Sequence, residues 1–92
     1  MANVRGKSLK AVVRDVAEGY VTVNPIFLKS FDTETLRGFY GEMAKVQIEI
    51  RSEKFPAHDI SAIRSRNLRL QRLYSATMII RNFARERRII LT

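Results

Sequence analysis

The sequence has no cysteine and no tryptophan, one histidine and two prolines. Without cysteine, neither a disulfide framework nor a thiolate metal site can be written. His58 stands alone, so a zinc site lacks ligands, and a triad would have to be built on this histidine and some serine. No serine sits in a G-x-S-x-G nucleophile elbow. The glycines match neither phosphate-loop pattern, since Gly38 and Gly41 fit neither G-x-G-x-x-G nor G-x-x-x-x-G-K-S/T. The inventory therefore implies no enzyme, no cofactor and no metal.

Long apolar runs are missing too. Nothing approaches the roughly 18 residues that span a bilayer. The opening Met1-Ala2-Asn3-Val4-Arg5-Gly6-Lys7 lacks the apolar stretch of a secretory signal. A soluble cytoplasmic protein with no membrane partner is expected. A basic amphipathic membrane-surface helix would need a clean cationic face, whereas the cations here are spread around the helix that carries them.

The scarcest feature is negative charge towards the C-terminus. Residues 1–60 hold nine Lys/Arg against eight acids, whereas residues 61–92 hold eight arginines against Glu86 alone. Most of the net charge of +8 therefore sits in the last third, and every cation there is Arg. Guanidinium forks pair bidentately with phosphate and stack on bases, which ammonium groups do not.

What is present reads as one small domain over residues 1–92, all-α or nearly so. Two readings compete for residues 8–24. Leu9, Val12, Val13, Val16 and Tyr20 fall at helical spacing between Ser8 as N-cap and Gly19 as stop, which favours a short helix. Ala11–Val13 and Tyr20–Val23 are also rich in β-formers and would suit a hairpin. Asn24-Pro25 breaks the chain before the apolar connector Ile26, Phe27, Leu28 and Phe31.

Asp32 then caps a helix whose stripe runs through Leu36, Phe39, Tyr40, Met43, Val46, Gln47 and Ile50. Gly38 and Gly41 inside it would let another backbone approach closely. Glu42, Glu49 and Glu53 alternate with Lys45, Arg51 and Lys54, as on a solvated face. After the Pro56 loop, Asp59 or Ser61 caps a long helix reaching about Arg88. One sector of it holds Ile63, Leu70, Leu73, Tyr74, Thr77, Ile80 and Ala84, and a second, narrower strip holds Leu68, Ile79 and Phe83. A helix with two apolar strips packs on two sides. The expected architecture is a short N-terminal element and two long antiparallel helices, self-associating. The apolar end Ile89-Ile90-Leu91-Thr92 docks into the core, pairs with a partner, or continues into a longer protein. The aromatics mostly fall on stripe positions and read as core.

The candidate site is the arginine helix. Arg64, Arg66, Arg69 and Arg72 crowd its first half; Arg81, Arg85, Arg87 and Arg88 crowd its second. Arg81, Arg85 and Arg88 step by four and three into a ridge that can follow a phosphate backbone. Arg64, Asn67, Gln71, Ser75, Asn82 and Arg85 share the sector opposite the apolar one, and its amides and hydroxyl offer polar groups for phosphate, sugar or base edges. Lys7, Lys10 and Arg14 would extend this surface. The expectation is a non-enzymatic nucleic-acid-binding subunit contacting DNA or RNA through Arg64, Arg66, Arg69, Arg72, Arg81, Arg85 and Arg88, as a homo-oligomer or within a larger complex. Two other readings stay open: a helical adaptor whose arginines and apolar C-terminus bind a protein, and a solvated face whose arginines pair with acids of the preceding helix.

The stretch from Asp32 to Leu91, with Phe39-Tyr40 opening one helix and Arg81-Asn-Phe-Ala-Arg85-Glu-Arg-Arg-Ile-Ile-Leu91 closing another, resembles the helical domain of archaeal GINS replication subunits. In size, charge and helical content the chain is also similar to small subunits of CRISPR effector complexes and to helical nucleoproteins of archaeal viruses. Each resemblance implies a non-catalytic basic subunit in a nucleoprotein assembly, and none assigns a role to a residue.

Overall fold

Each helix of the chain starts where a short polar side chain can accept a backbone hydrogen bond from three residues ahead. The computed structural model describes residues 3–4, 6–54 and 58–91. Within them a small antiparallel hairpin, β1 (Asn3–Val4) with β2 (Lys7–Ser8), precedes α1 (Leu9–Glu18), α2 (Pro25–Leu28), α3 (Thr33–Arg51) and α4 (Ile60–Glu86). The caps are Ser8 on the Ala11 N–H at 3.2 Å, Asn24 on Phe27 at 2.8 Å, Asp32 on Thr35 at 2.7 Å and Asp59 on Ala62 at 2.9 Å. Between the candidates for the last helix, Asp59 is the cap and Ser61 is not.

Helix, not hairpin, is the state of residues 9–18. Gly19 ends it at φ 86°, with its N–H on the Val16 carbonyl and the Tyr20 N–H on Asp15. That left-handed geometry is strained for any residue with a Cβ. One element was not expected. Asn24-Pro25, expected only to break the chain, begins a short helix, because Asn caps and Pro occupies the first helical position, where no N–H is needed.

The core is built from α1, α3 and α4, with Leu28 of the short α2 buried among them. Val12, Val13 and Val16 of α1, Leu36, Phe39, Met43, Val46 and Ile50 of α3, and Leu73, Ile80 and Phe83 of α4 are all buried. Phe27 and Phe31 close one end against Phe39, with ring centroids 6.1 and 5.2 Å away. Truncating the fully buried Phe39 to Ala should cost about 3–5 kcal/mol. Gly38 is explained by a close approach, though of a side chain and not of a backbone. A Cβ there would stand 2.8 Å from the Leu9 Cδ1. Gly41 faces open space.

Helix α4 packs on α3 along one side and on α1 and α2 along the other. Of the second apolar strip, Phe83 is buried and Ile79 packs against the core, whereas Leu68 stays exposed. Among the aromatics read as core, Phe83 agrees, while Tyr74 and Tyr20 do not. Phe83 lies in the core at 5% exposure, while Tyr74, expected in the apolar sector, is 63% exposed. Tyr20, expected on the apolar face of α1, is exposed as well. Ile89 and Leu91 pack against the core, whereas Ile90 stays exposed. Arg5, Thr92 and the residues expected at the interhelical loop, Phe55 and Pro56, lie outside the described residues. No helix among the described residues is long and apolar enough to cross a membrane.

Candidate nucleic-acid interface

The helical register of α4 sorts its arginines by what lies beside them. Arg69 turns towards α3 and holds Glu53 bidentately, Nη1 to Oε2 at 3.0 Å and Nη2 to Oε1 at 2.7 Å. Those bonds hold the Glu53 carboxyl below its usual range and raise the Arg69 guanidinium. The half-buried Arg66 adds its charge to the field that lowers Glu53. Arg72 turns towards α1. Its Nη1 donates to the Ala17 carbonyl at 2.9 Å, at the helix end where cations are favoured. A Cβ on Gly19 would come within 3.1 Å of the Arg72 Cζ, so the guanidinium lies close against that turn. These three arginines are part of how the helices are joined.

The second half differs. Arg81 Nε donates to the Tyr40 hydroxyl at 3.0 Å, and its Cζ lies 5.8 Å from the centroid of the same ring. Its two terminal amino groups remain available. Arg87 covers the face of Phe83 at 4.2 Å. Arg64, Arg85 and Arg88 are exposed, and their side chains bond to no other described residue. The expected three-arginine ridge is interrupted, however. The helix ends at Glu86, and Arg88 adopts φ 58° in the turn beyond it, so only Arg81 and Arg85 share a helical ridge.

The acids lie mostly elsewhere. Lys7 pairs with Asp15 at 2.6 Å, and Lys10 and Arg14 pair with Glu49 at 2.9 and 2.7 Å. The Lys10 bond is the main reason the Glu49 carboxyl falls below its usual range. Lys7, Lys10 and Arg14 therefore join α1 to its surroundings. Glu49 and Glu53, read as a solvated face, instead bridge α3 to α1 and α4. Asp32 and Asp59 serve as caps, and the backbone N–H of Thr35 lowers the Asp32 carboxyl.

The polar sector expected to hold Arg64, Asn67, Gln71 and Arg85 lies on a continuous outward strip, and what sequence reasoning missed is that Tyr74, Met78 and Arg81 belong to it. Arg64, Asn67, Gln71, Tyr74, Met78, Arg81 and Arg85 step by three and four along α4, and all are exposed. At 1.5 Å per residue the strip is roughly 30 Å long. It holds three arginines, two amides, one tyrosine and one methionine, with no acid. The signal was in the spacing, but it became readable only once the covered flanks of α4 were known. Arg51, exposed at the end of α3, was also passed over; it stands four residues beyond Gln47, whose amide reaches Thr77 of α4 at 3.3 Å. The chain matches no protein-family model, no curated protein and no solved structure.

Proposed function

We propose that this chain is a non-enzymatic, basic subunit that holds a nucleic-acid backbone along the outer strip of α4 within a larger nucleoprotein assembly. The observation that carries the reading is that strip: three arginines and two amides over about six turns of helix, with no carboxylate among them. Arg81, Arg85 and Arg64 contact phosphates, with Arg88 at the end. Arg66, Arg69 and Arg72 support the face from behind. In this reading α3 and α4 work as an antiparallel pair, Tyr40 orients Arg81, and copies of the subunit associate through surfaces other than the strip, where like charges would repel. The compartment is the cytoplasm.

Titrating labelled DNA and RNA by fluorescence anisotropy across a salt series tests this directly. Affinity should fall steeply with salt, and the Arg81→Ala/Arg85→Ala double variant should flatten the log–log slope by about one per lost contact. Lys10→Ala, on the paired side, should leave it unchanged. Failure of both nucleic acids to bind at low salt would discard the reading.

The adaptor alternative draws on a separate observation: Ile26 and Ile48 are 84% and 62% exposed. Removing the tail does not separate the two readings, because Ile89 and Leu91 pack on the core. Ile26→Ser with Ile48→Ser does: an adaptor loses its partner and a phosphate binder keeps its salt slope.

A further inference from the structure

Behind the strip, the chain leaving α1 stands off from α4. It leaves a cleft of about 440 Å³, within the size range of small-molecule sites. Val21, Leu68 and Ile79 give it apolar walls, and Gln71, Ser75 and Arg72 give it hydrogen-bonding groups. Leu68 is 45% exposed at its edge.

Two features set its chemistry. The Arg72 guanidinium is a planar cation fixed in place by the Ala17 carbonyl and by Gly19, so its orientation costs nothing further on binding. One Nη1 bond accounts for only part of its five donors. Gln71 belongs both to the cleft lining and to the outward strip, so whatever lies along the strip passes the cleft mouth. A flat ring with acceptor atoms on its edge suits apolar walls, a fixed guanidinium and an amide that both donates and accepts.

We infer that the cleft takes one unstacked nucleobase of a single strand whose backbone follows the α4 strip; this rests on the proposed function. Arg72 and Gln71 meet the edge of the base, and the apolar side chains of the lining meet its face. A duplex cannot supply that base without unpairing it, so the surface prefers single strands.

The test compares three ligands of equal length by anisotropy: a single-stranded oligonucleotide, its duplex, and an abasic strand with the same number of phosphates. The single strand should bind about tenfold more tightly than the abasic strand, as expected for one engaged base. Ser75→Phe, which fills the cleft from an exposed position, should remove that difference while leaving the salt slope intact. Gln71→Ala should reduce it in part. Free nucleoside monophosphates should compete only at far higher concentration than the oligonucleotide; competition at equal concentration would mean a mononucleotide site and overturn the strand reading. Equal binding of all three oligonucleotides, or a Ser75→Phe variant indistinguishable from the parent, would overturn the cleft assignment while leaving backbone binding intact. No binding by any ligand would instead remove the proposed function itself.

Discussion

The first half of α4 and its second half with the turn beyond it carry four arginines each and use them differently. In the first half, Arg69 and Arg72 reach across to Glu53 and to the end of α1. In the second, Arg81 and Arg87 lie over aromatic rings and Arg85 faces solvent. The same residue type acts as a fastener where a neighbouring helix offers a carboxylate or a carbonyl, and as a surface charge where it offers a ring or nothing. A count of arginines cannot make this distinction. It depends on which helix crosses α4 at each turn.

Breaking the fasteners should produce the largest effects. Gly19→Ala forces a Cβ into a left-handed position and against the Arg72 guanidinium, and should cost about 2 kcal/mol of stability, read as a lowered urea midpoint. Arg72→Ala should lose about 1–2 kcal/mol through the same joint, since a charged hydrogen bond to a buried residue's carbonyl disappears.

A smaller effect should appear only in acid. Glu53 titrates below its ordinary value of 4.5, so its pair with Arg69 stabilises the fold fully above that value. The contribution is lost as pH falls through the lowered folded-state value. Comparing urea midpoints at pH 7 and pH 3, the parent should lose more stability than Glu53→Gln. The difference should stay within about 1 kcal/mol, because the pair is partly exposed.

At the far end of α4 the sign reverses. Arg88→Gly should stabilise by about 1 kcal/mol, because glycine adopts φ 58° without strain. Smallest of all, Arg85→Ala should change stability by less than about 0.5 kcal/mol. A large loss there would erase the contrast between the two halves.

Local chemistry was the legible part of the fold. Ser8, Asp32 and Asp59 announce helix starts because a cap bonds within its own turn, and Gly19 announces an end for the same reason. The burial of α4 was harder to read. Tyr74 and Phe83 both fell on apolar strips, and which one is buried depends on α1 and α2 covering one flank. The candidate site was half legible: the excess of arginine shows in the sequence, but the partners of Lys10, Arg14, Arg69 and Arg72 depend on how α1 crosses the other helices. The short α2 was hidden because Asn24-Pro25 is equally a break and a beginning.

The turn after α4 bears on motion as well as on shape. Arg88 reverses the chain so that the Ile89 N–H returns to the Ala84 carbonyl at 2.8 Å, and Arg37 of α3 then holds the Ile90 carbonyl at 2.6 Å. A helix terminus is ordinarily the first part to fray. Here the last turn is sealed by its own tail, so the amides of residues 84–89 should exchange with solvent as slowly as those in mid-helix. In Arg37→Ala they should exchange sooner, and Arg85 would then sit on a loosened end.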